Sequence, residues 1–194
     1  VSSVSPIPVS AFNILGISDK DRQHISEFLD NVNFGNSQNI IGLSTMYSDP
    51  SDERINRTFK KFEKRQYSDL PPLMDLDMLG RDEKDLFDVI NQIGREVSVG
   101  FPPALLRGLA RWPKLLPIIW NTLSMIDSDG RLEQLKQKSR DEAFKHSSIL
   151  ASQINRINPP EVGDQVLEQL KKLTQGGIPS MLPVGLLLHK MLSK

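Results

Sequence analysis

Apolar residues recur along this chain at spacings of three and four, the period of a helix that packs on one side. Pro6 and Pro8 set an extended entry. Ser18 and Asp21 then fit a capping box, and Ile25, Phe28, Leu29 and Val32 follow on one helical face. Phe34-Gly35-Asn36-Ser37 is expected to break that helix, because Gly and Asn tolerate left-handed backbone. A second helix is expected from Gln38 through Met46, closed by Pro50, and a third from Ser51 or Asp52 with Ile55, Phe59 and Phe62 on one face. Ser68 to Gly80 reads as a linker, since Pro71-Pro72 forbids regular helix. Its Leu73, Met74, Leu76, Met78 and Leu79 predict that it packs against the body.

The helical period resumes at Asp82 with Leu86, Val89, Ile90, Ile93 and Val97, and Gly100 ends it. Pro102-Pro103 suits the start of a short helix carrying Leu105, Leu106, Leu109 and Ala110. Pro113 starts another, with Leu115, Leu116, Ile118, Ile119, Leu123 and Ile126, and Pro117 is expected to bend its first turns. Asp127-Ser128-Asp129-Gly130 is a turn that supplies a cap to a long helix from Leu132 toward Ile157. Pro159-Pro160 separates it from a helix spanning Val162 to Thr174, and Gly176-Gly177 is expected to end that one. The last helix follows Pro179 and is apolar on most faces from Met181 to Leu192, which predicts a partner on more than one side and a share in a homodimer interface. No stretch alternates with period two, so the fold class is all-α.

Ile25–Ser44 aligns without gaps on Val166–Gly185, pairing Gly35 with Gly176 and Ile40, Ile41 and Leu43 with Met181, Leu182 and Val184. Each copy reads as helix, glycine break, apolar helix, and similar lone hairpins would align nearly as well. The expected organisation is an N-terminal helical segment over 1–67, a linker over 68–80 and a helical repeat over 81–194, packed as one domain.

Composition narrows the function. The 24 basic and 24 acidic residues cancel, leaving no global field for a polyanion, so no nucleic-acid partner is expected. Lys60, Lys61, Lys64 and Arg65 read as a solvated helix face. There is no cysteine, which excludes disulfides, thiolate nucleophiles and cysteine-based zinc sites. No apolar run approaches the roughly 20 residues that span a bilayer. Val1 to Ser10 lacks a basic stretch followed by an apolar one, so no signal peptide is read there and the cytoplasm is the expected compartment.

The block Phe101-Pro102-Pro103-Ala104-Leu105-Leu106-Arg107-Gly108-Leu109-Ala110-Arg111-Trp112-Pro113-Lys114-Leu115-Leu116, followed by Ile119-Trp120, resembles the signature of the 2-haloacid dehalogenase family that accepts both enantiomers. Asn33-Phe34-Gly35-Asn36 resembles that family's aromatic-Gly-Asn turn, and the helical hairpins look like the alkylhydroperoxidase D-like fold. The resemblance implies a hydrolase that displaces halide with an activated water, acting on a small carboxylic acid without a cofactor. It places the water-orienting amide on Asn36. Where the family's activating aspartate would fall, this chain has Leu105 preceded by Ala104, and neither takes a proton. The thiol peroxidase chemistry of the wider fold needs paired cysteines and is excluded.

Asp75 and Asp77, two apart among Leu and Met, are the candidate substitute bases, with helix capping as the competing role. Arg107 and Arg111, four apart, are candidates to clamp a substrate carboxylate, with surface ion pairs as the competing role. Trp112 and Trp120 are candidate pocket walls or core. His24, His146 and His189 lack ligand spacing, and Asp127-x-Asp129-Gly130 places its glycine two positions too early for a calcium loop. Asn56-Arg57-Thr58 matches a glycosylation sequon. Two functions stay open: a dehalogenase-like hydrolase with a relocated base, or a catalytically silent small-molecule-binding or dimeric interaction protein.

Overall fold

The fold is described from a computed structural model of the chain, over residues 4–51, 71–93, 102–154 and 163–192. These residues form an all-helical bundle with no strand among them. The helices are α1 (Val9–Ile14), α2 (Asp19–Ser44), α3 (Arg81–Gln92), α4 (Ala104–Leu109), α5 (Leu116–Ser128), α6 (Arg131–Ile154), α7 (Asp164–Lys172) and α8 (Ile178–Leu192). The expected helix carrying Ile55, Phe59 and Phe62, the basic run from Lys60 to Arg65, the sequon at Asn56, Val97, Gly100 and Pro159-Pro160 lie outside the described residues.

The capping box predicted at the start of α2 is present. Ser18 Oγ accepts from the Asp21 N–H at 3.1 Å, and Asp21 accepts from the Ser18 N–H at 3.2 Å. Beyond this cap the helix departs from the sequence expectation. α2 runs for 26 residues through Gly35 and Asn36 without a break, so the separate helix expected from Gln38 to Met46 is its second half. Gly35 does not take positive φ, a conformation confined among the described residues to Gly16 and Gly130. Glycine in a helix interior costs only about 1 kcal/mol against alanine. The burial of Ile25, Phe28, Leu29 and Ile40 along one stripe outweighs it.

The break expected at Gly176-Gly177 is also absent. Leu173 to Gly177 makes one wide π-helical turn that joins α7 to α8 in a single rod. Pro179 is the physical cause. It has no N–H for the carbonyl of Gln175, and its ring would strike that carbonyl in an ordinary α turn. The wider turn relieves the clash, and Arg140 Nε on α6 donates to the freed Gln175 oxygen at 2.8 Å. Ser180 Oγ likewise donates to the Gly176 carbonyl. The two aligned segments are therefore each a continuous rod, and neither folds back as a hairpin.

α8 lies at the centre. Met181, Val184, Leu187, Leu188, Met191 and Leu192 join a core built from α2, α4, α5 and the entry segment. Of the described α8 side chains, Leu186 alone is exposed, at 42 %. The apolar faces expected to need a second subunit are thus covered within one chain, which removes the packing argument for a dimer. Ile7 N–H donates to the Met191 carbonyl at 2.9 Å, so the entry segment closes the last turn of α8.

Two glycines let α2 sit close to its neighbours. A β-carbon on Gly108 would collide with the Phe28 ring, and one on Gly185 would collide with Asn33 Oδ1. Asn33, only 6 % exposed, donates from Nδ2 to the Gly185 carbonyl at 3.0 Å. Its Oδ1 is buried without a hydrogen-bond donor and rests against Gly185 instead. Leu105 lies beside this contact, fully buried.

Gly108→Ala and Gly185→Ala are each expected to lower unfolding free energy by about 1–3 kcal/mol through overpacking. Gly35→Ala, where a β-carbon meets nothing within 4 Å, is expected to raise it by up to about 1 kcal/mol. Urea unfolding of the three variants decides this; a stable Gly185→Ala protein would refute the close crossing.

Candidate functional site

The residues singled out by sequence do not converge. Asn36 lies part-buried in the middle of α2, and among the described residues no hydrogen bond joins its amide to a carboxylate. Asp75 caps the short 3-10 turn Leu76–Met78 by accepting from the Asp77 N–H at 3.2 Å. Asp77 is exposed and faces Lys84 at 3.5 Å.

Arg107 and Arg111 do share a target, but it is backbone. Arg107 donates to the Met74 carbonyl from Nε at 3.4 Å and from Nη2 at 3.3 Å, and Arg111 Nη2 donates to the Pro72 carbonyl at 2.8 Å. The Met74 N–H returns a bond to the Arg107 carbonyl at 3.2 Å. The two guanidinium groups strap the 71–79 segment onto α4 and the residues just after it, and among the described residues neither pairs with an acid. A strap is needed because prolines 71 and 72 keep the first part of the segment, before the 3-10 turn, out of any helix, with carbonyls seeking donors. Leu79 is buried beneath it and Met74 packs on the core, as the apolar composition predicted, while Leu73 and Met78 stay exposed.

Trp112 is buried, and its indole N–H donates to Asp21 Oδ1 at 3.0 Å. Trp120 lies on the outer face of α5, 41 % exposed, and Val89 on α3 is exposed too, so neither is core. Three donors thus converge on Asp21. The Ser18 hydroxyl, then the Trp112 indole, hold its carboxyl below the ordinary aspartate range against the opposing effect of burial.

Among the described residues a cavity lies elsewhere. A groove of about 390 Å³ opens between α2, α6 and α8. Its floor is apolar: Ile40 and Ile41 from α2, Ala143 from α6, and Leu182, Pro183 and Leu186 from α8. Ile40, Ala143 and Ile178 form a satellite cluster of buried side chains apart from the main core. Ser37 and Ser139 also line the groove, but their hydroxyls donate to their own helix carbonyls, Asn33 at 2.8 Å and Leu135 at 2.9 Å. The rim carries Lys138, Glu142 and His146, four residues apart on one face of α6. His146 Nε2 stands 3.9 Å from Glu142 Oε2, and Lys138 has no acidic partner among the described residues.

Beyond the groove, hydroxyls join the segment that follows α2 to the π turn and to α6. Tyr47 donates to Thr174 Oγ1 at 2.6 Å, because the Thr174 proton is committed to the Leu170 carbonyl at 2.7 Å. Ser48 meets Ser147 at 2.8 Å. Lys171 sits over the Tyr47 ring, 5.6 Å from its centroid.

Sequence reading missed Lys138 and Glu142, and weighed His146 only as a metal ligand. The signal was present in the stripe that α6 turns inward. Leu132 and Leu135 are followed by Ser139, Ala143, Ser147 and Ala151. Ala143 and Ser147 are buried, so between Lys136 and Leu150 the stripe carries small side chains and leaves space against α2 and α8. Among the described residues no group of His, Asp and Glu could hold a metal ion, and no helix is long and apolar enough to cross a membrane.

Because the folded-state pKa of Asp21 is depressed, its contribution to stability is present above the unfolded carboxylate range and is lost as pH falls from that range through the lower folded-state value. Melting temperature followed from about pH 6 down to about pH 3 should therefore drop. Asp21→Asn should cost about 1 kcal/mol at neutral pH and flatten the acid limb. An acid limb unchanged in the variant would show that Asp21 does not carry this linkage.

No known protein family matches the chain, and neither does any curated protein or solved structure.

Proposed function

We propose that the chain is a small-molecule-binding helical protein without catalytic action of its own. In this reading it is a diverged, silent relative of the 2-haloacid dehalogenases that its 101–116 block resembles, with an alkylhydroperoxidase D-like ancestry. The observation that carries it is the groove between α2, α6 and α8. Its volume of about 390 Å³ falls in the range of small-ligand sites, and its lining is mostly apolar with its ionisable groups all on α6.

Two further observations weigh against hydrolysis. Leu105, where the resemblance would put the activating acid, packs into the crossing of α2 with α8. The candidate substitute bases Asp75 and Asp77 are engaged with a turn and with Lys84, and no carboxylate among the described residues reaches Asn36 to activate a water.

A neutral fluorescent apolar probe such as aminoanthracene is expected to bind saturably with blue-shifted emission. Leu186→Trp, which fills the groove from its one exposed α8 position, should abolish that binding and leave the fold intact. Neither enantiomer of a 2-halo acid should yield halide above the buffer blank. Halide release that disappears in Asn36→Ala would overturn the reading in favour of a hydrolase, and probe binding unaltered by Leu186→Trp would place the site elsewhere.

A further inference from the structure

No further inference is drawn: the strongest candidate, the groove between α2, α6 and α8, belongs to the site already described, and with Lys138 and Glu142 balancing at its mouth nothing in the structure shows what occupies it.

Discussion

The passage of α2 across α8 at Asn33 and Gly185 is the contact on which the rest of the bundle depends. A buried amide is costly unless its polar atoms are matched. Here the amino group is matched by the Gly185 carbonyl, and the oxygen is pressed against a residue with no side chain. Such an oxygen is left with a Cα–H contact, weaker than a hydrogen bond but geometrically demanding. Any slide or rotation of α2 would strand both atoms, so the amide acts as a locating pin. Once α2 is fixed, Phe28 meets Gly108 on α4, and the remaining side chains of the main core fill in around that frame.

The π turn before α8 solves a second problem in the same element. A proline four residues beyond Gln175 removes the donor which that carbonyl would ordinarily use. Arg140 reaches across from α6 to supply one, so a local defect in one helix becomes a tie between two. The tie matters to the groove, because Arg140 lies on α6 between Lys138 and Glu142 of the rim. This stretch of α6 is therefore tied to the π turn by a hydrogen bond to the carbonyl that Pro179 leaves without its helix donor.

The elements legible in the sequence are those with local causes. The capping box at Ser18 and Asp21, the proline-led starts near Pro103 and Pro113 and the Gly130 turn all arise from short-range chemistry, and the structure has each of them. The two expected glycine breaks fail because glycine carries two meanings. At 35 and at 176–177 it signals tolerance of special backbone, but the burial of flanking apolar side chains holds both segments helical. The roles of Gly108 and Gly185 depend on side chains far away in sequence, and no local pattern reveals them. The candidate site is obscured for a similar reason. Arg107, Arg111 and Trp112 are residue types that chemistry and packing use alike, and here they hold a strap and a helix cap. Only the small side chains of Ser139 and Ala143 on α6 point toward the groove, and a small residue reads as weak pattern before it reads as space.

The bond between the Ile7 amide and the Met191 carbonyl changes how this bundle opens. Chain ends in most domains fray independently and at little cost. Here the first described segment and the last helical turn cap one another, and Val4 is buried in the same core as Leu192. Peeling either away exposes the other, so two events that are separate in an ordinary helical protein become one. The strapped 71–79 segment has no such reciprocal tie, and two guanidinium groups with one backbone hydrogen bond hold it in place.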